Sequence, residues 1–526
     1  MLEELRTASS LLDIAITHYI QACSAAQKSC ITGSARIIFP RELLIAGLDD
    51  EVNSLLNYVS RLRDAGITLA SAQNHYKRAS ASALPPEILA YIFRHVLAGS
   101  KCEGFWDPER RVSLSGYPEL LSHVCSSWRR AAINSHGLWV HIDLSNDSRL
   151  ISRSKSYFAR SGQLPLYVHL PSPLTLIGGE EDATHIMFIA SLAPRIRSLR
   201  FVQDDEDYGA LALRTLLGNC TPGVLNHVTM GLVKSTTDRF MLAQGQEVPE
   251  DDMGPRPHIR LDVPQQHLEN ILLGLTGLRC KKIYPPWDSK AYHDLTDLHL
   301  SGYGEIPESQ LVAILNSSSR LRSFEIALEI TNVLPITSPV ELVHLVDLER
   351  LRIHRSNAGF LLRWIAPGSK PLRLMLTYSK RHYVLLESFF REQLQMFFLR
   401  SNTVCVSVNA NKRYSWLAGL FSAAGSVKEL AIDCRRAQIK SKDDSSMPDP
   451  SLHLDTLYLL NCHIEIEYFL EFIGAQVIRN IVLWDCVIHK PFGRTYNLRP
   501  VSKEEFLRHC PAVKILSSGR SPIKDW

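Results

Sequence analysis

Residues 295–326 read LTDLHLSGYGEIPESQLVAILNSSSRLRSFEI and contain one pattern twice. Leu295, Leu298 and Leu300 are apolar at i, i+3 and i+5, and Leu321, Phe324 and Ile326 repeat them 26 residues on. The last two apolar residues of each triad straddle a polar one, the alternation of a strand with one buried face. PESQLVAILNSSSR (307–320) between them reads as a returning helix. The triad recurs at Ile196-Leu199-Phe201, Leu225-Val228-Met230, Leu348-Leu351-Ile353, Val427-Leu430-Ile432, Leu454-Leu457-Leu459 and Ile478-Ile481-Leu483. Thr403-Val406-Val408 is a poor copy, and there is room for another around Leu374 and Leu376. Where the copies are cleanest they stand 24–27 residues apart.

A triad of this shape at this period is the leucine-rich-repeat signature: each short strand turns its leucines inward and a helix returns on the outside. IEYFLEFIGA (466–475) reads as a second such return, and Asn461-Cys462 and Cys486 fall where the repeat places Asn or Cys. Residues 146–526 are therefore expected to form an α/β leucine-rich-repeat-like solenoid, a horseshoe; a non-repeating α/β domain is the competing reading. His299, Ser301, Arg352, His354, Tyr458 and Trp484 flank inward positions, so they are expected on the concave side, in contact with a protein substrate. The stretch 231–290 is the least regular, and QEVPEDDMGPRP (246–257), YPPWD (284–288) and KSKDDSSMPDP (440–450) read as exposed loops.

A chain of 526 residues exceeds one hydrophobic core and implies more than one domain. A net charge of +4 gives no argument for nucleic acid or for an anionic membrane. The apolar run Leu11–Ile20 is interrupted by Asp13 and His18, short of the roughly 20 residues that span a bilayer. Glu3 and Glu4 stand where a secretory signal carries basic residues. The 11 cysteines include no CxxC pair and read as reduced thiols of the cytoplasm or nucleus. Cys462-His463 has no second ligand pair at zinc spacing, and no metal or cofactor is expected.

In the first 80 residues, Leu12, Ala15, Ile16, Tyr19, Ile20 and Cys23 fall at helical spacing, as do Val52, Leu55, Leu56, Val59 and Leu62 after Asp49 and Asp50. Two amphipathic helices joined by a looser segment (29–41) are expected to pack on each other or on the next domain of the chain. Residues 70–83, rich in Ala and Ser, read as a weak helix end or linker.

SALPPEILAYIFRHVLAG (82–99) starts a helix abruptly. Proline is tolerated in a first turn, and Glu87 suits the positive end of the helix dipole. Ile88, Leu89, Ile92, Phe93, Val96 and Leu97 make a wide apolar stripe. A second helix starts near Pro118-Glu119, with Leu120, Leu121, Val124, Cys125, Trp128, Ala131 and Ala132 as its apolar residues, and HGLWVHIDLS (136–145) opens a strand. LPPEILAYIF, LLSHVCSSWRRAA and the LW pair after them resemble an F-box, over Leu84 to Trp139, about a tenth of the chain. The resemblance implies a small helical module (82–145) that docks on the Skp-type adaptor of a cullin-RING ubiquitin ligase. It places Leu84, Pro85, Ile88, Leu89, Ile92 and Phe93, with Val124, Cys125 and Trp128, in or beside that interface. The segment Gly99–Tyr117 is a long insertion relative to the family, read as a loop; this and the helical lead-in are similar to the expanded F-box families of mushroom-forming fungi.

There is no GxxxxGK[ST], GxSxG or HExxH, and no GxGxxG opens a helix after a strand. RHYVLLESFFREQLQMFFLR (381–400) reads as an amphipathic helix with Leu385, Phe389, Leu394 and Phe397 as its core face. The expected protein is thus multidomain, an all-α lead-in and F-box followed by the horseshoe. The expected function is non-catalytic: a substrate receptor that bridges the Skp-type adaptor, and through it a cullin, to an unidentified protein. A scaffold acting outside a ligase, or an α/β enzyme with an unfamiliar site, are the alternatives.

Overall fold

A computed structural model describes residues 2–32, 40–77, 84–98, 117–144, 148–170, 180–203, 206–232, 235–247, 250–251, 254–255, 257–354, 358–377, 387–409, 427–433, 438–439, 453–474, 477–492, 497–510, 513–516 and 521–523. The expected loops at 99–117 and 440–450, and Leu385, fall almost wholly outside these residues. The chain divides into two compact units, 1–89 and 90–526.

The first unit holds helices α1 (Leu2–Ile31) and α2 (Arg41–Lys77), and α3 (Pro86–Ala98) begins in it. Both long helices outrun their expected spans. They also bury nothing: no residue of α1 is buried, and none of the described side chains of α2 is. A hydrogen bond from Tyr19 Oη to Glu51 Oε2 at 3.0 Å joins them. Their apolar residues stay at least partly exposed among the described side chains.

In the second unit the expected single helix after Pro118 is two, α4 (Tyr117–Ser122) and α5 (Ser126–Asn134). The break is local chemistry. Cys125 is extended (φ −160°, ψ 172°) and its Sγ accepts from Trp128 N, capping α5. Trp139 is fully buried, its Nε1 donates to Ala132 O at 2.8 Å, and the Arg160 guanidinium lies 4.5 Å over its ring. Trp139 leads directly into a sheet of 14 strands.

These are β1 (His141–Asp143), β2 (Leu166–Leu170), β3 (Ile196–Gln203), β4 (His227–Leu232), β5 (Gly277–Lys281), β6 (Asp297–Pro307), β7 (Ser323–Thr331), β8 (Arg350–His354), β9 (Leu372–Thr377), β10 (Thr403–Asn409), β11 (Glu429–Asp433), β12 (His453–Leu460), β13 (Val477–Trp484) and β14 (Val513–Leu516). They lie side by side in chain order, and each adjacent pair is parallel. Every repeated triad, including the poor copy and the one around Leu374, falls on or at the start of a strand. The apolar positions form the core: Leu298, Leu300, Phe324, Ile326, Leu351, Ile353, Leu374 and Leu376 are at most 2 % exposed.

The expected fold class is overturned. A separate helical F-box followed by a leucine-rich-repeat horseshoe is not what the chain builds; its architecture is α/β, one large parallel sheet with helices. The crossovers are unequal. Helices of 13 or 14 residues return after β1 (α6, Ser148–Arg160), β2 (α7, Glu180–Leu192), β3 (α8, Glu206–Asn219) and β9 (Glu387–Leu399), and shorter ones of 7 or 9 residues after β6 (α9, Glu308–Asn316), β8 (Ala358–Trp364), β12 (Ile466–Gly474, the second expected return) and β13 (Lys503–His509). Between β4 and β5 the chain leaves the sheet to form strands Arg239–Gln244 and His258–Pro264 of a small separate sheet, and a third, Ile283–Tyr284, comes after β5. Late connections add a further four-stranded sheet. LxxLxL spacing marks parallel strands with a buried face, and it does not by itself require identical repeats. YPPWD is likewise no exposed loop: Tyr284 is 2 % exposed, and the Trp287 ring packs edge-on or tilted within 6 Å of Phe240, Tyr284 and Tyr292. The helix in 381–400 spans Glu387–Leu399, with Phe389, Leu394 and Phe397 buried. No described helix is long and apolar enough to cross a membrane.

Candidate functional site

Because successive strands keep register, one residue from each strand lines up across the sheet. The rung through the centre runs Asp143, His169, Arg200, Thr229, Arg279, His299, Glu325, Arg352, Met375, Ser407, Ala431 and Tyr458. Parallel sheets ordinarily carry apolar cover on both faces. Here the rung is polar and charged as far as β8, then small or apolar.

The charged half centres on Glu325. Its Oε1 lies 3.3 Å from His299 Nε2 and 3.4 Å from His354 Nε2, and its Oε2 lies 3.4 Å from an Arg352 guanidinium nitrogen. His354 Nδ1 is 3.0 Å from Thr377 Oγ1, one strand further. Burial works to raise the Glu325 carboxyl, but the His354 hydrogen bond and the charges of His299, His354 and Arg352 outweigh it, and it falls to about 2. Burial pushes His299 down to about 4, against the attraction of Glu325. His299 is therefore neutral at pH 7, and Arg352 supplies the countercharge. At the far end, His169 Nδ1 meets Asp143 Oδ1 at 2.8 Å.

Four of the residues expected on this face, His299, Ser301, Arg352 and His354, belong to this half, while Tyr458 and Trp484 do not. Both pack against a cluster of Cys405, Ala431, Leu460 and Ile523, with Met375 and Val404. The chain's own residues at 521–523 thus cover the apolar half of the face. Sequence reasoning missed Glu325, the centre of the cluster. FEI at 324–326 does carry it at the same strand position as His299 in LHL, a signal the register would have exposed. An open cleft of about 600 Å³ lies beside the cluster at the starts of β8 to β11, lined by Arg350, Lys370, Arg373 and Lys428 with Glu349 and Glu429. Lys370 bridges Asp347 at 2.9 Å and Glu349 at 3.3 Å, and the lining as a whole stays net basic, four cations against two carboxylates. Among the described residues no group of three or more His, Cys, Asp or Glu is placed to hold a metal ion.

The F-box-like residues sit on different levels. Leu89 and Phe93 are fully buried, and Phe93 packs 4.9 Å from Trp128 between ring centres. Leu84, Cys125 and Trp128 are half-buried, and Pro85 is exposed. Ile88, Ile92 and Val124 are 46 %, 38 % and 60 % exposed, large values for aliphatic side chains. Val96 and Leu120 are also exposed, which the motif alone did not single out. Ile88, Ile92 and Val96 stand at i, i+4 and i+8 and share one face of α3. The helix starts cleanly because Pro85 O accepts from both Ile88 N and Leu89 N at 3.1 Å.

Comparison with models of protein families finds no match, and no curated protein matches the chain.

Proposed function

We propose that this protein is a non-catalytic receptor of a ubiquitin ligase. In this reading, Ile92 and Val96 of α3, with Leu120 and Val124, dock a Skp-type adaptor and through it a cullin, and the charged half of the sheet face holds a protein substrate. The observation that carries the reading is the apolar stripe Ile88, Ile92 and Val96 left in water inside the stretch that resembles an F-box. Exposed aliphatic residues on one helical face are a docking surface for a second helix or groove. Chemistry on the substrate would fall to other subunits, and this chain would contribute proximity.

The test uses the full chain and a purified Skp-type adaptor in a direct binding measurement. Ile92→Asp with Val96→Asp replaces side chains already in water, so folding is preserved while a charge enters the proposed interface. Binding by the wild type, weakened at least about 100-fold in the double variant, is the expected result. A folded wild-type chain that does not bind the adaptor overturns the proposal.

A further inference from the structure

The first unit leaves its apolar surface unburied in a patterned way. On α2, Ile45, Leu48, Val52, Leu55, Val59, Leu62 and Leu69 advance in alternating steps of three and four, broken only at Gly66. That is a heptad seam with Ile and Val at one core position and Leu at the other. On α1, Leu5, Leu12, Ile16, Tyr19 and Cys23 trace a second seam, and Ile20 and Leu56 widen the two faces as a helix bundle requires. The Tyr19–Glu51 hydrogen bond sets the two helices side by side. Side-by-side contact does not suffice: Leu55, Val52 and Val59 stay 41 %, 56 % and 55 % exposed. Two helices cannot enclose a core, since each seam meets a partner on one flank only.

We infer that a second copy of this chain covers these seams, the two α1–α2 pairs closing into a four-helix bundle about a two-fold axis. Area supports a dimer. Twelve exposed large apolar side chains of α1 and α2 lie on these two faces, and at half-burial each they offer on the order of 500 Å² per copy, about 1,000 Å² for the pair, the least a specific interface needs. Charge selects the partner and its direction. Asp49, Asp50 and Glu51 lie on one half of α2, and Arg61 and Arg63 on the other. An antiparallel second α2 centred near Leu56 sets Asp49 opposite Arg63 and Glu51 opposite Arg61 of the other copy; a parallel one stacks like on like. The seam, repeated in a second copy, is self-complementary, as a two-fold contact requires.

The test is the mass of the full chain in solution by light scattering and sedimentation equilibrium. The expected mass is twice the monomer's 59.3 kDa. Val52→Asp with Val59→Asp is expected to raise the dissociation constant at least about 100-fold with helix content unchanged by circular dichroism in the monomeric state. Arg61→Glu with Arg63→Glu is expected to weaken the dimer about tenfold. Ile67→Asp, equally exposed on α2 but off the seam, is expected to leave it intact. A monomeric wild type overturns the inference, as does an assembly larger than a dimer. So does a dimer that survives the double Asp variant or dissociates equally with Ile67→Asp. Indifference to the charge reversal overturns the antiparallel arrangement.

Discussion

Replacing Gly302 by alanine is expected to destabilise the second unit by about 3–5 kcal/mol. A Cβ at Gly302 would run into Tyr284 Oη and Asp238 Oδ2, and neither can step aside. Tyr284 Oη lies 2.9 Å from Asp238 Oδ2 and 2.8 Å from Ser301 O, and accepts from Lys282 N at 3.2 Å. Asp238 also accepts from the backbone N–H of Tyr303 at 3.1 Å and of Gly304 at 2.6 Å. Burial and the neighbouring Asp238 carboxylate both raise the Tyr284 phenol, so it stays a protonated donor. This knot holds the point where β6 loses register with β7, between Ser301 and Glu305. Lys282 is pinned there too: it adopts φ 64°, its Nζ donates to Ser235 O at 2.7 Å and lies 4.7 Å from the Tyr303 ring centre. An added methyl must break buried hydrogen bonds as well as overpack, and the two costs add. Urea unfolding followed by tryptophan fluorescence measures it, because Trp287 stacks 5.2 Å from Tyr284. Gly137→Ala, whose Cβ would meet nothing within 4 Å, is the control and should shift stability by less than about 0.5 kcal/mol. A Gly302→Ala protein as stable as that control would refute the account.

The same SGYGE segment shows what a sequence discloses and what it conceals. The strands were legible because burial of one face forces a spacing that survives in the letters: LTDLHL and LRSFEI became β6 and β7. Even Thr403-Val406-Val408 became β10, since a strand flanked on both sides by good ones needs little propensity of its own. The fold class was not legible. Triad spacing reports neighbouring parallel strands, whereas a horseshoe also needs equal returns, and these are set by residues such as Tyr284 and Asp238 that meet 46 positions apart. Nothing in YPPWD announces that Tyr284 is buried and Trp287 partly so; proline suggested an exposed loop, and an edge-on contact of Trp287 with Phe240 decided otherwise. The candidate site was half legible. Alternation put His299, Arg352 and His354 on one face. It could not show that Ile523 covers the neighbouring half and takes Tyr458 and Trp484 into a core. Glu325 escaped notice because a carboxylate in a strand reads as solvent-facing until its three nitrogen partners are seen around it.

Glu325→Gln is expected to cost on the order of 3 kcal/mol at neutral pH, and the cost should depend on pH in a defined way. The Glu325 carboxyl falls from an ordinary 4.5 to about 2 in the folded chain. A lowered carboxyl binds fewer protons folded than unfolded. Its stabilisation is therefore complete above about 4.5 and is lost as pH falls towards 2. The deficit of Glu325→Gln relative to wild type should accordingly be constant from pH 7 to about 5 and shrink below 4.5. What remains near pH 2 is the lost geometry alone. His299 acts in a neighbouring window. Burial lowers it from 6.5 to about 4, so the unfolded chain binds its proton first, and wild-type stability falls as pH drops from 6.5 to 4. His299→Gln should flatten that part of the profile and also reduce the lower part, because the His299 charge helps hold the Glu325 carboxyl down. The partners of Glu325 set the sign of a further effect. With the carboxylate gone, Arg352 loses its countercharge on a half-buried face, which costs more than the pair was worth as a pair. Glu325→Gln combined with Arg352→Met should then be more stable at pH 7 than Glu325→Gln alone. Urea unfolding at pH 7, 5 and 3 on the three variants decides the matter. A Glu325→Gln deficit that stays the same from pH 7 to pH 3 would show that the carboxyl is held by shape and that its charge contributes nothing.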